Sequence, residues 1–321
     1  MSDTALIEVQ DLCKYYKTKS GMLHAVESVN FKIPEGTTLG VVGESGCGKS
    51  TLGRTVMNLH EATSGKVLIN GEDFTHPNKQ QKKIIHKNIQ MIFQDPASSL
   101  DPRKSVDALI AEPMKALKTC PKDQIEERVG ELMDTVGLAR RFAYSYPHEL
   151  DGGRRQRIGI ARALSVEPKV LVCDEPVSAL DVSIQAQILN LLQDLQEQKG
   201  LTYIFITHNL SVVKHISDDI LVMYMGCQVE KCASKELFNR PLHPYTKGLL
   251  SAIPIPSIHV KRERIIMEGE VTSPINPKPG CRFAARCPYA TEQCHNEFPK
   301  VEEVLPNHYC ACHRVHELND I

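Results

Sequence analysis

The chain has 321 residues, of which 41% are hydrophobic and 24% are charged, and its 38 basic and 39 acidic side chains give a formal net charge of -1. A chain of this size can bury a full hydrophobic core, as one large domain or two modest ones. Its balanced charge supplies no overall field for nucleic acid or anionic lipid, so no nucleic-acid partner is expected. The N-terminal MSDTALIEVQ lacks a secretory signal, and no run of about 18 apolar residues occurs. We therefore expect a cytoplasmic protein.

Short apolar runs rich in β-branched residues alternate with segments of helical period. The runs are TLGVV (38–42), NIQMIF (88–93), KVLVCD (169–174) and TYIFIT (202–207). This alternation predicts an α/β domain with a largely parallel sheet. Between Ser98 and Ala163 the strand pattern disappears and apolar residues recur at helical spacing. We therefore predict a helical subdomain at about residues 98–163.

The amino-acid composition of the chain changes after Ser251. Closely spaced prolines predict a linker, so we divide the chain into a main domain of residues 1–251 and a C-terminal extension of residues 252–321. The extension is too short for a sizeable core and is expected to need a staple. Five of the eleven cysteines lie between positions 281 and 312, and in a chain without a secretory signal they favour thiols or metal ligands over disulfides.

The segment GESGCGKS, from Gly43 to Ser50, matches the pattern G-x-x-x-x-G-K-[ST]. It follows a predicted strand and precedes a segment that can form a helix, which is the setting of a phosphate-binding loop. The backbone N–H groups of such a loop surround the phosphates at the positive end of the helix. Lys49 is expected to reach the β and γ phosphates, and the Ser50 hydroxyl to bind Mg²⁺. The candidate nucleotide-binding residues here are Gly43, Glu44, Ser45, Gly46, Cys47, Gly48, Lys49, Ser50 and Thr51.

Two acidic residues end the predicted strand VLVCD. Asp174 suits a carboxylate that holds Mg²⁺, and Glu175 could polarise the water that attacks the γ phosphate. Two acids capping a strand would be an acceptable structural explanation if the phosphate loop were absent.

Together these motifs resemble the ATP-binding subunit of an ABC transporter, over residues 7–251. The resemblance implies a P-loop NTPase core with a helical subdomain, and it adds four site residues. Gln94 in MIFQDP resembles the Q-loop glutamine, which binds Mg²⁺ and senses the membrane subunit. Asp181 in SALD belongs to the D-loop, and His208 in FITHNL resembles the switch histidine. Tyr16 in CKYYK is placed to stack on adenine, although Tyr15 is equally plausible on local grounds.

The resemblance implies catalytic roles for Lys49, Glu175 and His208, with Ser50, Gln94 and Asp174 around Mg²⁺. It also implies that two such subunits close head to tail, so that the segment L-S-G-G-Q of one covers the ATP of the other.

That segment departs from the family pattern in this chain, where it reads LDGGRRQ. Asp151 replaces serine and Arg154 replaces glutamine, beside Gly152 and Gly153. An ionised Asp151 would repel a γ phosphate by roughly 4 kcal/mol at about 4 Å and an effective dielectric constant of about 20. Our hypothesis is a heterodimer with a homologous ATPase subunit and one impaired composite site. The alternative is that Asp151 turns aside and both sites work.

The segment HPYT followed by a cysteine-rich tail resembles the oligopeptide/dipeptide importer branch of the family. The resemblance implies a [4Fe-4S] cluster on Cys281, Cys287, Cys294 and Cys312, which would make the extension metal-stapled. The spacing alone does not select the metal, because iron-sulfur and zinc sites commonly use C-x₂-C pairs. Zinc, with His308 or His313 as a ligand, stays open, as does a segment of free thiols. Cys310 could also replace Cys312.

The resemblance implies further partners, namely two transmembrane permease subunits and an external substrate-binding protein. The chain is then expected at the cytoplasmic face of the membrane as a peripheral subunit that couples ATP hydrolysis to peptide uptake. Two alternatives are an importer of nickel, glutathione or another small solute, and a non-transport ABC ATPase that acts on nucleic acid or the ribosome.

Overall fold

The computed structural model describes residues 5–253, 265–267, 269 and 273–321. The strands are β1 Ile7–Thr18, β2 Gly21–Ile33, β3 Thr38–Val42, β4 Ser64–Ile69, β5 Glu72–Asp73, β6 Ile89–Ile92, β7 Val170–Asp174, β8 Thr202–Ile206, β9 Asp219–Tyr224, β10 Cys227–Ala233, β11 Glu302–Leu305 and β12 His308–Cys310. The α-helices are α1 Lys49–Val56, α2 Lys79–Asn88, α3 Pro96–Ser99, α4 Val106–Leu117, α5 Ile125–Thr135, α6 Gly152–Leu164, α7 Val182–Lys199, α8 Leu210–Ile216, α9 Ser234–Asn239, α10 Pro244–Ser251 and α11 Glu292–Asn296.

The chain divides into two compact units. Unit 1 comprises Met1–Ile33, Thr38–His76 and Thr207–Ile321, as far as these are described. Unit 2 comprises Pro34–Thr37 and Pro77–Ile206. The residues after 273 therefore share a unit with the N-terminal strands. The predicted division between residues 251 and 252 stays a prediction, and most of the predicted linker lies outside the described residues.

The sheet of unit 1 has mixed strand directions. β1 pairs antiparallel with both β2 and β4, whereas β3 pairs parallel with β9. The predicted largely parallel sheet is therefore wrong for this unit. The reason is local: β1 and β2 are joined by two residues, Lys19 and Ser20, and so short a connection allows only an antiparallel hairpin.

Unit 2 contains the parallel strands β6, β7 and β8, with β7 in the middle. Every residue of β7 and β8 is buried, which explains why their sequences are almost continuously apolar. Residues 98–163 are all described, and they form helices and turns without a strand. The three predicted strand runs of this unit and its helical subdomain are thus observed.

The C-terminal residues extend the hydrophobic core of unit 1. The Phe283 ring is fully buried, with its centroid 5.3 Å from that of Tyr224 and 5.4 Å from that of Tyr245. These aromatic rings belong to one cluster with residues of α10 and β9. Cysteines therefore do not replace a core in this segment, because it borrows the core of the preceding strands and helices.

A buried carboxylate fixes the C-terminal hairpin of β11 and β12 on β10. The Oε1 atom of Glu230 accepts the Leu242 N–H and contacts His308 Nε2, each at 2.7 Å. Its Oε2 atom accepts the His243 N–H at 2.9 Å. Glu230 and Cys310 also face each other across the antiparallel β10–β12 pair. Since a buried charge is costly unless it is hydrogen-bonded, these contacts explain how Glu230 is tolerated at zero exposure.

We expect Phe283→Ala to lower the free energy of unfolding by about 3–5 kcal/mol, because the change removes a fully buried ring. Chemical denaturation of the purified chain measures the effect. Phe298→Ala is the matched control, since Phe298 is 42% exposed, and it should cost less than about 1 kcal/mol. Equal losses in the two variants would contradict the packing of Phe283.

Candidate functional site

The predicted phosphate loop joins β3 to α1 in unit 1. Gly43 has a φ of 153° and Gly48 a φ of 101°, both in the region that favours glycine. A Cβ atom on Gly43 would lie 2.2 Å from the Met223 carbonyl oxygen, and one on Gly48 would lie 2.0 Å from that of Ala25. The loop is therefore packed against its neighbours so closely that only glycine fits at these positions. Ser45 and Gly46, between them, are exposed.

Lys49 starts α1 and turns back toward the loop. Its Nζ atom donates to the carbonyl oxygens of Gly43 at 2.8 Å and Glu44 at 2.9 Å, and the side chain is only 5% exposed. Ser50 and Thr51 follow in the first turn of the helix. Burial raises the pKa of the Cys47 thiol, and the nearby Lys49 charge partly offsets this. The ammonium group is thus held inside the curve of the loop, where anionic phosphates would complement it.

A second layer of side chains supports the phosphate loop from behind. The Glu44 N–H donates to the Tyr245 hydroxyl at 3.0 Å. Arg286 Nη1 donates to both carboxylate oxygens of Glu44, at 3.1 and 2.9 Å. The sequence reasoning missed Tyr245 and Arg286 as partners of the loop, although both belong to segments, HPYT and GCRFAARCP, that it had singled out.

The two candidate adenine-stacking tyrosines point to different surroundings. The Tyr15 hydroxyl donates to Glu27 Oε1 at 2.6 Å, and its ring stacks on His24 with centroids 4.1 Å apart. Tyr16 lies edge-on to His60 at 5.8 Å. Burial raises the pKa of Tyr16, while a hydrogen bond with Thr51 lowers it, which places this tyrosine beside α1. Successive residues of a strand face opposite sides, so only one of the pair can face that helix.

His208 follows β8 and precedes α8. The neighbouring Thr207 N–H donates to the Val41 carbonyl oxygen at 3.1 Å, which places this segment beside the end of β3. The His208 side chain is exposed. Within unit 1, the structure therefore locates the histidine at the same edge of the sheet as the phosphate loop.

Unit 2 carries the predicted carboxylates. Asp174 ends β7 and is 1% exposed. The following Glu175 has a φ of 47°, an uncommon conformation for a residue with a side chain, and such residues are often found at functional sites. Gln94 Nε2 donates to Glu175 Oε2 at 3.1 Å. The predicted Q-loop glutamine and the predicted catalytic carboxylate are thus in direct contact.

The unusual segment LDGGRRQ begins α6. Asp151 is the N-cap of this helix, and its Oδ1 atom accepts the Arg154 N–H at 2.8 Å. The Oδ2 atom pairs with Arg154 Nη1, also at 2.8 Å. A Cβ atom on Gly153 would lie 2.8 Å from the Ile184 side chain. The two residues that depart from the family pattern are therefore paired with each other in this chain.

Asp181, the predicted D-loop residue, is the N-cap of α7. Its Oδ1 atom accepts the Ile184 N–H at 3.0 Å. A carboxylate at this position satisfies a helical N–H group that has no partner inside the helix.

The four cysteines of the proposed cluster line one small cavity of about 20 Å³ in unit 1. All eleven cysteines of the chain lie in its described part, and none forms a disulfide. Cys312 lines this cavity, whereas Cys310 is buried beside Leu242 and Val315. His313 also lines the cavity, but the His308 ring contacts Glu230 instead. The residues brought together are Cys281, Cys287, Cys294 and Cys312.

Each of these four sulfur atoms has a polar hydrogen-bonding partner. Burial raises the pKa of the Cys281 thiol to about 11, and a backbone hydrogen bond from Phe283 lowers it. Burial also raises the pKa of Cys287 and Cys312. In both, a hydrogen bond from the backbone N–H group two residues further on lowers the pKa. The Thr291 hydroxyl lies 3.4 Å from Cys294 Sγ. Backbone N–H groups that donate to sulfur, as at Cys281, Cys287 and Cys312, stabilise the thiolate form, which is the form that binds metal.

A second group of possible metal ligands, Glu230, Cys232 and His308, is fully buried on β10 and β12. Both carboxylate oxygens of Glu230 already take part in hydrogen bonds with the protein. We therefore assign this group to the attachment of the C-terminal hairpin.

A strand, a glycine loop and a helix that starts with a buried lysine define a P-loop nucleotide-binding protein. The family model "ABC transporter" matches residues 26–178, and the model "Oligopeptide/dipeptide transporter, C-terminal region" matches residues 229–294. None of the helices in the described part of the chain is long and apolar enough to cross a membrane.

Relatives match almost the whole chain. The oligopeptide transport ATP-binding protein AppF of Bacillus subtilis (strain 168) is 48% identical over 318 residues, covering 96% of this chain and 97% of AppF. OppF of Salmonella typhimurium (strain LT2), also named an oligopeptide transport ATP-binding protein, is 48% identical and covers 98% of this chain and 97% of its own. The chain therefore belongs to the ABC transporter family, in the branch of oligopeptide and dipeptide transport ATP-binding proteins.

A solved structure supports the same fold. A dimeric ATP-binding cassette in a post-hydrolysis state, bound to ADP and Pi, superimposes with a TM-score of 0.65 at 28% identity. The match covers 71% of this chain and 98% of that chain.

The buried His243 gives unit 1 a testable pH dependence. Its Nδ1 atom accepts the Tyr245 N–H at 3.0 Å at the start of α10, and burial lowers its pKa from 6.5 to about 4. Below pH 6.5, His243 is protonated in the unfolded chain but stays neutral in the folded chain. The free energy of unfolding therefore falls as the pH drops toward 4. At pH 5 we expect a loss on the order of 2 kcal/mol from this group.

His243→Asn should remove this dependence, because asparagine can still cap α10 but does not titrate. The measurement is the difference in unfolding free energy between pH 7 and pH 5. His316→Asn, at an exposed position, is the control and should keep the difference seen in the unaltered chain. An unchanged difference in the His243 variant would refute the assignment.

Proposed function

We propose that this chain is the ATP-hydrolysing motor subunit of a peptide importer. The observation that carries the proposal is the phosphate loop, in which glycine conformation and the buried Lys49 leave a cationic cradle of backbone N–H groups. The match to the oligopeptide/dipeptide C-terminal region and the oligopeptide transport names of the relatives support the choice of cargo class. They do not favour import of another solute or action on nucleic acid.

The loop residues Gly43 to Thr51 would bind the phosphates of ATP. Backbone N–H groups and Lys49 neutralise the phosphate oxygens, and the Ser50 hydroxyl contributes to Mg²⁺ binding. Tyr16 is the better candidate for stacking on adenine, because it lies on the α1 side of β1 while the Tyr15 ring already stacks on His24.

Hydrolysis would depend on Glu175, Gln94, Asp174 and His208. Asp174 and Gln94 would hold Mg²⁺, which neutralises developing charge on the phosphates when it is bound. Glu175 would orient and polarise the attacking water, and His208 would contact the γ phosphate. The contact between Gln94 and Glu175 supports this assignment, since a glutamine that senses the membrane subunit could then position the catalytic carboxylate.

We propose that this chain pairs with a homologous ATPase subunit, with Asp151, Gly152 and Gly153 facing the ATP of that subunit. The salt bridge to Arg154 reduces the charge that Asp151 would present, but it also ties up the side chain that replaces serine. An engaged carboxylate offers no hydrogen to a γ phosphate. This supports one competent and one impaired site. Asp181 would belong to the same dimer contact.

The remaining partners follow from the same proposal. Two permease subunits would provide the membrane path and an external binding protein would deliver the peptide. The chain would then act as a peripheral subunit on the cytoplasmic face of the membrane. Its functional parts would be the nucleotide-binding residues 1–251 and the cysteine-rich extension 252–321.

We further propose that Cys281, Cys287, Cys294 and Cys312 hold a [4Fe-4S] cluster. The four thiols share one cavity and each sulfur has a polar hydrogen-bonding partner, which supports a common metal group. A single zinc ion, with Zn–S distances of about 2.3 Å, would draw four sulfurs close together. Among the described residues, the group of donors within 4.8 Å of one another is Glu230, Cys232 and His308, so the four thiols are more widely spaced. When bound, the cluster would cross-link the cysteine-rich extension.

The motor assignment predicts that Glu175→Gln sharply reduces hydrolysis by the purified pair of subunits. A lost general base costs on the order of 100-fold or more in turnover. ATP turnover and peptide uptake into proteoliposomes are the measurements, and Glu167→Gln, at an exposed position, is the control with the same chemical change. The corresponding change in the partner should have the smaller effect. Equal losses of turnover from the two changes would contradict the asymmetric scheme. Undiminished turnover in the Glu175 variant would contradict its catalytic role.

The cluster assignment predicts that protein purified without oxygen absorbs visible light and contains about four iron atoms per chain. Cys287→Ser should lower the iron content, whereas Cys120→Ser, outside the cavity, should not. A colourless preparation loaded with zinc would refute the iron-sulfur assignment while leaving the four-cysteine site in place.

A further inference from the structure

An arginine of the cysteine-rich segment reaches the phosphate loop. Arg286 lies directly before Cys287 in the sequence, and its Nη1 atom donates to both carboxylate oxygens of Glu44, at 3.1 and 2.9 Å. Glu44 is the second residue of the phosphate loop. The ion pair therefore links the four-cysteine segment to the nucleotide-binding residues within one compact unit.

The pair lies in partly buried surroundings. The Arg286 side chain is 9% exposed and that of Glu44 is 26% exposed. Since an arginine guanidinium stays charged in proteins, the contact is an ion pair. Tyr224 adds a hydroxyl 3.4 Å from the same Nη1 atom. Solvent screens such a pair less than one on the open surface, so its loss should be measurable.

Glu44 is held at three different points. Its N–H group donates to Tyr245, its carbonyl oxygen accepts from Lys49, and its carboxylate accepts from Arg286. Because the same residue fixes both the loop backbone and one acceptor of the Lys49 ammonium, a shift of Glu44 would move the groups that meet the phosphates.

The turn that carries Arg286 is framed by two of the four cysteines. The Ala284 N–H donates to the Cys281 carbonyl oxygen at 3.0 Å, and the Cys287 N–H donates to that of Ala284 at 3.4 Å. Both cysteine side chains line the four-cysteine cavity. Whatever holds their sulfur atoms therefore also fixes the backbone from which Arg286 extends.

We propose that Arg286 is a positioning residue of the nucleotide site, and that it couples loading of the four-cysteine site to nucleotide affinity. The coupling rests on the proposed metal group at that site, whereas the positioning role rests on the ion pair alone. A loaded site would hold Arg286 against Glu44 and thereby keep the phosphate loop ready for ATP.

The first test measures the dissociation constant of Mg·ATP for the full chain in its subunit pair. Arg286→Gln should weaken binding about tenfold, since a charged hydrogen bond is commonly worth at least that factor. The KM for ATP should rise in parallel and kcat should change less than twofold. Lys300→Gln, at an exposed position of the same segment, is the matched control. Unchanged affinity in the Arg286 variant would overturn the proposal.

A double-mutant cycle separates positioning from general damage. Glu44→Gln and Arg286→Gln should each weaken binding, and the double variant should be no weaker than the poorer single variant. Fully additive losses would show that the two residues act independently and would overturn the role of the pair. Thermal unfolding of all variants identifies any that fail to fold, and Arg286→Lys, which keeps the charge, should recover part of the affinity.

The second test removes the metal from the unaltered chain with a chelator under oxidising conditions. Binding of Mg·ATP should then weaken about as much as in the Arg286→Gln variant. Removing the metal from the Arg286→Gln variant should cause no further loss of affinity. Wild-type affinity after complete stripping would overturn the coupling. Metal content is assayed in the same samples, so a chain that never contained metal would count against the cluster proposal, and the first test would still decide the role of Arg286.

Discussion

The close approach of the phosphate loop to two backbone carbonyl groups is the constraint on which unit 1 depends. The Ala25 carbonyl belongs to β2 and leaves no room for a Cβ atom at Gly48, and the Met223 carbonyl of β9 leaves none at Gly43. The loop can adopt its curve only when both strands are in place. Sheet order, glycine position and the inward turn of Lys49 are therefore parts of one arrangement, in which distant strands shape a cradle for phosphates.

The C-terminal residues are part of the support of this cradle. Phe283 completes the aromatic cluster that includes Tyr245, and the Tyr245 hydroxyl accepts a hydrogen bond from the phosphate loop. Further along the same segment, His308 contacts the buried Glu230 carboxylate. The segment that the sequence predicts to be a separate extension thus contributes apolar packing, a buried polar contact and an ion pair to the nucleotide-binding unit.

The sequence was sufficient where local chemistry dictates structure. Continuous apolar runs predicted β3, β6, β7 and β8, and the glycine pattern predicted the phosphate loop. It was insufficient for contacts between distant positions: Arg286 and Glu44 are 242 positions apart, and nothing near either residue signals the other. The hairpin of β1 and β2 was not predicted, because these long strands mix polar and apolar residues and their pairing contains several register shifts. The four cysteines were named from the family resemblance, because their spacing alone does not define a common site, and the structure places all four at one cavity.

The pairing of β10 with β12 also has a consequence for how the protein is made. Residues 308–310 lie far after β10 in the chain, so the side of β10 that they cover stays open until they have been synthesised. An open strand edge invites pairing with another chain. A truncated product that ends before this hairpin would hence expose an adhesive edge and leave the Glu230 carboxylate without one of its partners. Closure of the β10 edge therefore depends on a strand that is made much later than β10 itself.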